Sequence, residues 1–357
     1  KAAKLAQVNI PVVDTLTGAA MAIIVIIGGR MVLSDELALG VMVAFLFYVQ
    51  RFFDPIRSLT IQYSMMQRAT VSGQRILEVL DVPKATKDAP NALDLEQCAG
   101  EVFFRHVDFA YVPDTPVLTD INFAIRPGEK VAIVGPTGSG KSTIAALLRR
   151  FYDVNSGQVL IDGHDVRDLS QVSIGRHVAM VLQDPFLFSG TIFDNIRYAN
   201  SEKGASDIEA AARAVGAHDF IMRLPGGYQF SLDQRGVNLS RGQRQLLSFA
   251  RALVADTRIL ILDEATANVD SYSEMKIQKA LNSLLQGRTA IVIAHRLATI
   301  RECDRILVLH HGRLVEEGDH DQLIALSGLY AGLYRMNYAS FDELPGEYKA
   351  GLAASVN

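Results

Sequence analysis

The chain has 357 residues, a length typical of about two domains. It is 49% hydrophobic and 21% charged, which excludes an intrinsically disordered protein. The formal net charge of -4 disfavours a general nucleic-acid binder, because such proteins are usually basic. The two cysteines, Cys98 and Cys303, are too few for a disulfide scaffold or a Cys-only zinc site, and both are expected in the reducing cytosol.

The first 60 residues contain two long uncharged runs, at 16–29 and 37–50. Neither run alone reaches the roughly 18–20 residues of a membrane-spanning helix, but with their flanks both do. We therefore predict membrane helices at about 9–32 and 36–58, although a buried helical hairpin in a soluble protein has a similar pattern. Asp14 is costly in lipid and is expected to face a bundle interior or a water-filled cavity.

Apolar residues keep a helical spacing through 59–80, which predicts that the second helix continues into the cytoplasm. Residues 81–99 are rich in Pro, Asp, Lys and Ala and predict a linker, whereas 339–357 have no strong pattern and predict a frayed tail. The chain has neither an initiator Met nor a signal peptide, and two spans would make a poor membrane domain. We therefore expect it to be the C-terminal part of a longer protein.

A phosphate-binding motif lies in the second part, which begins at about residue 100. The segment KVAIVGPTGSGKST predicts a buried strand, a glycine loop and a helix, and it matches G-x-x-x-x-G-K-[ST] at Gly135, Gly140, Lys141 and Ser142. The loop amides would surround phosphate oxygens, Lys141 would reach the terminal phosphates and Ser142 would hold Mg²⁺.

Two later strands end in groups suited to hydrolysis. The strand predicted within RILILDEAT ends in Asp263 and Glu264, which are expected to point to opposite sides of the strand. Asp263 is the expected Mg²⁺ partner and Glu264 the candidate general base, unless the two carboxylates merely end a strand. TAIVIAHR ends in His295, which is expected at the same sheet edge near the γ-phosphate or a water, although a lone histidine is usually structural.

The segment NLSRGQRQLLSFARAL begins a helix at Ser240. Ser240 and Gly242 suit anion binding at a helix start, but an ordinary N-cap fits the residues equally well.

These motifs, in this order, resemble the ATP-binding cassette (ABC) family. The stretch 135–143 resembles the Walker A loop, 259–264 Walker B, 267–270 the D-loop, and LSRGQ at 239–243 the ABC signature. The signature carries Arg241 where Gly is usual. By the same resemblance, Gln183 is the Q-loop glutamine, His295 the switch histidine, and Tyr111 the aromatic residue that stacks on adenine; a core strand aromatic is the alternative for Tyr111.

The resemblance extends to the apolar segment, which is similar to the last two transmembrane helices of multidrug and lipid exporters. It implies an α-helical transmembrane segment followed by an α/β P-loop ATPase domain with a mixed sheet core, an antiparallel β subdomain and an α-helical signature subdomain. The expected domains are 1–80 (transmembrane part), 81–99 (linker), 100–338 (nucleotide-binding domain) and 339–357 (tail), with four further helices before Lys1.

The implied function is ATP-driven export of a lipid, drug or peptide, powered by cassette dimerisation and hydrolysis, with ATP and Mg²⁺ as cofactors. The implied catalytic residues are Glu264, His295 and Gln183. The implied Mg²⁺ residues are Ser142, Gln183 and Asp263. The implied nucleotide-binding residues are Tyr111, Gly135, Thr137, Gly138, Ser139, Gly140, Lys141, Ser142, Thr143, Ser240, Gly242 and Gln243.

The implied partners are a second half-transporter, identical or different, the remaining helices of the subunit and the lipid bilayer, with no nucleic acid. The implied location is the cell membrane (inner or plasma), multi-pass, with the nucleotide-binding domain in the cytoplasm. Alternatives are a regulatory cassette subunit with little hydrolysis, a soluble cassette ATPase and an importer. Gln234 stands where exporters usually have an acid, which favours an asymmetric partner. Residues 186–188 fit either a site for a coupling helix or simple core packing.

Overall fold

The computed structural model of the protein describes residues 2–82, 86–182, 184–263, 271–293 and 297–338. The chain divides into two compact units, Lys1–Lys84 and Ala85–Asn357. Gln183, Glu264, His295, the stretch 267–270 and the tail 339–357 therefore lie outside the described residues.

The first unit is a pair of long helices, α1 (Ala2–Leu33) and α2 (Leu39–Leu80), joined by a short turn. Within them, Pro11–Leu33 and Leu39–Leu80 are long and apolar enough to cross a membrane, with mean hydropathies of 2.0 and 1.4 in their most apolar windows. These windows are 6% and 0% buried within the described part of the protein. With 42 residues, α2 is about 63 Å long, so a bilayer core of about 30 Å covers roughly half of it.

A charge pair links the two helices. A guanidinium nitrogen of Arg57 on α2 lies 2.5 Å from Asp14 Oδ1 on α1, and another lies 3.7 Å from Asp54 Oδ1. Asp14 is 19 residues from the end of α1 and Arg57 is 18 residues from the start of α2, so the pair lies about 27–28 Å from the turn. The aspartate that is costly in lipid therefore has a cationic partner, near one end of the predicted spans.

The stretch expected to be a linker is not a free connection from residue 86 onward, because it is bonded to the second unit. Leu93 donates its N–H to the Asp168 carbonyl at 2.8 Å and accepts from the Ser170 N–H at 2.9 Å. Asp162 accepts the N–H groups of residues 99, 100 and 101 at 2.7, 3.0 and 2.7 Å. We call residues 86–101 the strap.

The second unit contains three sheets within the described residues. The strands are β1 (Val102–Phe109), β2 (Leu118–Ile125), β3 (Lys130–Val134), β4 (Ser156–Ile161), β5 (His164–Asp165), β6 (Val178–Val181), β7 (Gly190–Thr191), β8 (Ser231–Leu232), β9 (Ile259–Asp263), β10 (Thr289–Ile293), β11 (Arg305–His310) and β12 (Arg313–Gly318). A four-stranded antiparallel sheet has the order β2-β1-β4-β5. A six-stranded sheet has the order β12-β11-β3-β10-β9-β6 and is parallel except at the β12 edge.

Helices cover this mixed sheet and form a separate layer beside it. They are α3 (Lys141–Leu148), α4 (Gln171–His177), α5 (Ile192–Arg197), α6 (Ala205–Ala214), α7 (His218–Met222), α8 (Arg241–Ala255), α9 (Ser271–Leu285), α10 (Leu297–Arg301), α11 (His320–Ala325) and α12 (Leu329–Tyr338). Short 3₁₀ turns at Gly227–Gln229 and Gln234–Gly236 precede the signature helix α8.

Two hydrophobic cores lie on the two faces of the mixed sheet, because neighbouring strand residues point to opposite sides. In β9, Leu260 and Leu262 join the core shared with helices α5, α6 and α8. Ile259 and Ile261 join the core shared with the antiparallel sheet and α3. The near-continuous apolar strands are thus buried on both faces, as parallel strands usually are.

Candidate functional site

The phosphate-binding motif occupies the turn between β3 and α3, as the sequence predicts. Because β3, β10, β9 and β6 are parallel neighbours, the loop lies at the carboxyl edge of the sheet, where ligands of α/β folds bind. Thr137, Gly138 and Ser142 are exposed, whereas Ser139, Gly140, Lys141 and Thr143 are buried.

Glycine is required at both ends of this loop. A Cβ at Gly135 would lie 2.2 Å from the Leu309 carbonyl oxygen, and the residue has φ of +152°. Gly140 has φ of +100°, and a Cβ there would lie 2.5 Å from Leu118 Cδ2. The loop is therefore held against β11 and β2 at distances that exclude any side chain.

Lys141 lies folded back on its own loop. Its Nζ donates to the carbonyl oxygens of Gly135 and Pro136, each at 2.8 Å, and the residue is 7% exposed. Burial lowers the pKa of the Lys141 ammonium, and the negative charge of Asp263 partly opposes this. A partly desolvated cation is thus placed at the loop and kept near a carboxylate, and an anionic ligand would stabilise it further.

The loop fits a chain of phosphates. The hydroxyl oxygen of Ser139 is buried and has no hydrogen-bond partner among the described residues. The N–H groups of the first turn of α3 lack intrahelical acceptors and, together with the helix dipole, favour an anion. Ser142 and Asp263 supply the oxygen ligands that Mg²⁺ prefers.

Asp263 ends β9 and is paired in register with Ile293 at the end of β10. Glu264 follows Asp263 directly, Gln183 comes two residues after β6, and His295 comes two residues after β10. The strands that precede all three therefore end at the edge that holds the phosphate loop, while the three side chains lie outside the described residues.

Tyr111 lies beside the phosphate loop, two residues beyond the end of β1. Its hydroxyl donates to Thr143 Oγ1 at 3.2 Å, and its ring is 49% exposed. The alternative of a core strand aromatic is therefore wrong. Phe109 and Tyr152 hold the ring edge-on, with centroids at 4.8 and 5.0 Å. Sequence reasoning missed Tyr152; its place next to Phe151, shortly after α3, was the available signal.

The signature residues form a helix cap. Ser240 is the N-cap of α8: its Oγ accepts the Gln243 N–H at 3.3 Å, while Gln243 Oε1 accepts the Ser240 N–H at 2.8 Å. Gly242 is buried in the first turn. Within the described part of the chain, Ser240, Gly242 and Gln243 make no hydrogen bond to the phosphate loop.

The loop before the signature is packed on the segment that follows Gln183. Gly236 has φ of +63°, and a Cβ there would lie 2.8 Å from Leu187 Cδ1. Arg235 is also in the left-handed region, with φ of +62°. Gln234 belongs to the same short 3₁₀ turn, and nothing in the structure explains why it replaces an acid.

A groove with a cavity of about 470 Å³ lies next to this segment. Leu187 is fully buried, but Phe186 and Phe188 are 47% and 40% exposed, and Phe186 lines the groove. Of residues 186–188, only Leu187 therefore fits the interpretation as simple core packing.

Two groove residues were missed by the sequence analysis, Tyr198 and Arg251. The Arg251 guanidinium lies 5.7 Å from the Phe188 ring centroid and 5.8 Å from that of Tyr198. It donates to the Phe186 carbonyl at 2.9 Å, and burial lowers its pKa. A long-range contact of this kind has no signal in the local sequence.

The fold and the loop define a P-loop nucleotide-binding protein, and comparison with known proteins gives its family. Residues 118–267 match the family model described as ABC transporter. The chain is 46% identical over 330 residues to an uncharacterized ABC transporter ATP-binding protein, YknV, of Bacillus subtilis (strain 168), covering 92% of this chain and 55% of that protein. It is 41% identical over 338 residues to an ATP-dependent lipid A-core flippase of Syntrophus aciditrophicus (strain SB), covering 95% and 56%.

Among solved structures, the fold is similar to that of a bacterial Atm1-family ABC exporter with ATP bound. The TM-score is 0.71 at 36% identity, over 95% of this chain and 59% of that one. Residues 118–267 thus carry an ABC transporter domain, and the predicted resemblance to ABC exporters and the predicted fold class are confirmed. The chain spans 55% and 56% of the length of the two curated relatives above.

Proposed function

We propose that the chain is part of a subunit of an ATP-driven membrane exporter. The observation that carries the proposal is one polypeptide that joins two helices of membrane-spanning length and apolarity to a P-loop whose lysine is buried against the loop carbonyls. Residues 1–80 would contribute to the transmembrane domain and 100–338 would form the cytoplasmic nucleotide-binding domain. The protein would be multi-pass in the cell membrane.

In the nucleotide site, the exposed face of Tyr111 would stack on adenine. The loop amides, the Ser139 hydroxyl and Lys141 would hold the phosphates, with Lys141 leaving the carbonyls of Gly135 and Pro136 to do so. Mg²⁺ is expected beside Ser142, Gln183 and Asp263. When bound there, it would neutralise part of the negative charge of the phosphates.

Hydrolysis requires groups that follow the neighbouring strands. Glu264 would accept a proton from the attacking water, and His295 would hold the γ-phosphate. The backbone of Asp263, the residue before Glu264, is held by the parallel pairing of β9 with β10, which supports the placement of Asp263 at this edge of the sheet. Positioned acid–base help of this kind contributes about 10²–10⁴ in rate.

A second half-transporter, identical or different, would complete the site. The Ser240, Gly242 and Gln243 face of one copy would close over the phosphate loop of the other; the formed N-terminus of α8 at Ser240 supports this, because helix N-termini favour anions. The groove beside Phe186, Tyr198 and Arg251 is apolar with a cationic centre, which suits a coupling helix from the transmembrane domain. The names of relatives include a lipid A-core flippase, a fatty acid transporter and a probable multidrug resistance transporter, which supports an amphipathic cargo.

The test is Mg²⁺-ATP hydrolysis by the full-length protein in liposomes, with panels of lipids and drugs added. Glu264→Gln should lower turnover about 10²–10⁴-fold and leave ATP binding intact. Glu302→Gln, a change at an exposed carboxylate, is the matched control and should hydrolyse like wild type.

Stimulation of wild type by one cargo class would support export and narrow the substrate. Near-wild-type turnover in Glu264→Gln would contradict the role of Glu264. Equal, negligible turnover in wild type and both variants, with ATP still bound, would instead support a regulatory cassette whose partner carries the hydrolysis.

A further inference from the structure

Arg150 is the residue that ends the P-loop helix, and its geometry there is unusual. The Phe151 N–H bonds to the Ala146 carbonyl at 2.8 Å and the Arg150 N–H to the Leu147 carbonyl at 2.9 Å, which is the Schellman pattern. Arg150 occupies the left-handed position of this motif, with φ of +54°. Glycine is usual there, since a side chain costs roughly 1–2 kcal/mol in this region.

The contacts of the Arg150 side chain explain why an arginine occupies a position that favours glycine. Arg150 is 3% exposed, so its guanidinium is fully within the second unit. It donates to Asp153 Oδ1 at 3.0 Å, to the Leu169 carbonyl at 2.8 Å and to the Lys87 carbonyl at 3.0 Å, and Asp88 Oδ1 lies 3.9 Å away. A strained backbone conformation of this kind persists only where the surrounding contacts stabilise it.

Two of these partners, Lys87 and Asp88, are the beginning of the strap. Gln171 reinforces the same junction: its side chain donates to Thr86 Oγ1 at 2.9 Å and to the Arg150 carbonyl at 3.5 Å, and its N–H bonds to Asp88 Oδ1 at 3.0 Å. The first described residues of the second unit are thus fixed to the far end of the helix that follows the phosphate loop.

The helix between these two points is short and tightly packed. It runs from Lys141 to Leu148, and Ile144, Leu147 and Leu148 are 0% exposed. Eight residues span about 12 Å, and a helix this well packed moves as one body. A displacement at the phosphate loop is therefore passed to Arg150 rather than absorbed within the helix.

We propose that Arg150 is a positioning residue that couples the nucleotide site to the strap, and through it to the chain leaving α2. The proposal rests on the proposed function, because it requires nucleotide at the phosphate loop. Arg150 acts by fixing Lys87 and Asp88 to the end of the P-loop helix.

The experiment is hydrogen–deuterium exchange of the full-length protein in nanodiscs, with and without Mg²⁺ and the non-hydrolysable analogue AMP-PNP. Exchange is read at the strap amides, among them Leu93 and Leu95, which are hydrogen-bonded in the structure. In wild type the analogue should slow exchange of peptides from 86–96 by about threefold to tenfold, because local opening becomes less favourable.

Arg150→Gly is the decisive variant, since glycine suits the left-handed position and keeps the helix end intact. It should bind AMP-PNP within about twofold of wild type, yet show faster exchange at 86–89 and no response of the strap to the analogue. Arg167→Lys is the control: Arg167 pairs with Asp165 in the same region, at 2.6 Å, and has no hydrogen bond to 86–88 among those described. The control should keep the response.

A wild-type protein that binds AMP-PNP without any change in the strap would overturn the proposal, as would an Arg150→Gly protein with an unaltered response. An Arg150→Gly protein that fails to fold is recognised by its melting temperature. In that case Gln171→Ala, which removes the bonds to Thr86 and the Arg150 carbonyl, should at least halve the response, and an undiminished response would overturn the proposal. Failure of wild type to bind AMP-PNP at all would contradict the proposed function itself.

Discussion

The hydroxyl of Tyr111 donates a hydrogen bond to the hydroxyl of Thr143, over 3.2 Å. Tyr111 lies just beyond β1 and Thr143 in the first turn of α3, so this bond ties the antiparallel sheet to the phosphate-binding helix. The ring also packs nearly perpendicular to the rings of Phe109 and Tyr152, and about half of Tyr111 is still exposed. A flat apolar face is thus held next to the loop that would bind phosphates.

Tyr111→Ala should weaken ATP binding about tenfold, because a stacked aromatic pair contributes about 0.5–1.5 kcal/mol and the loss of ring area adds to it. Tyr111→Phe keeps the ring and should stay within about threefold of wild type. Titration with a fluorescent ATP analogue measures both. Equal affinity in Tyr111→Ala and wild type would show that the ring does not contact the base.

The fold was predictable where the sequence repeats a physical pattern. Apolar runs of strand length define β3, β9 and β10, and the glycine motif between β3 and α3 fixes the edge at which they meet. The position of Lys141 at that edge follows from the motif alone. The length and apolarity of α1 and α2 likewise follow from composition.

What the sequence did not predict depends on contacts between distant residues. The strap looked like a linker because Pro, Asp and Lys are common in loops. The groups that the strap itself contributes to its bonds with residues 150–177 are mainly backbone groups. Backbone hydrogen bonds have no side-chain signature. Tyr111 could be a core aromatic or an exposed one, and only the end of β1 two residues earlier decides between them.

Lys141→Met should raise the Kd for ATP by about 10- to 100-fold, since a hydrogen bond to a charged group contributes about 1.5–3 kcal/mol. Burial holds the pKa of Lys141 below its ordinary value of 10.5. The ammonium is fully charged at low pH and loses its proton as pH rises through the lowered pKa. ATP affinity should therefore decline on the alkaline side, starting below pH 10.5.

Lys141→Arg is the control for this pH dependence, because arginine stays charged throughout the range. Its affinity should be lower than that of wild type but should not share the alkaline decline. Equilibrium binding at pH 7 to about 9.5 makes the comparison. A parallel decline in both proteins would mean that another group titrates.

Gly140→Ala should destabilise the second unit by about 1–3 kcal/mol, because the residue has an unfavourable φ and its Cβ would meet Leu118. Gly138→Ala is the matched control: its φ is +82°, but nothing lies within 4 Å of an added Cβ. Thermal unfolding without nucleotide should show the larger loss of melting temperature for Gly140→Ala. Equal losses would mean that backbone strain alone sets the effect.

The charge pair between α1 and α2 should stabilise the helix pair. Asp14→Asn and Arg57→Gln should each lower the melting temperature in nanodiscs, whereas the double variant should lose less than the sum, with a coupling of about 0.5–3 kcal/mol. Arg51→Gln, earlier on α2, should have no coupling with Asp14→Asn. Strict additivity of the Asp14 and Arg57 changes would show that the pair contributes nothing.

Substitutions of Ser240 distinguish the two roles that the sequence left equally open, an ordinary N-cap and an anion-binding residue. As the N-cap of α8 it stabilises the helix, so Ser240→Ala should cost about 1 kcal/mol. Ser240→Asp keeps a good cap, since an aspartate side chain accepts the Gln243 N–H equally well, and it suits the positive end of the helix dipole. The melting temperature of Ser240→Asp should therefore match that of wild type.

The same aspartate would place a negative charge against phosphate if Ser240 closes over the ATP of a second copy. ATP hydrolysis by Ser240→Asp should then fall about 100-fold or more, while ATP binding to a single copy, which uses the phosphate loop, is unchanged. Hydrolysis equal to wild type would mean that Ser240 serves the fold alone. Because the cap is intact in this variant, a loss of hydrolysis cannot be assigned to unfolding of α8.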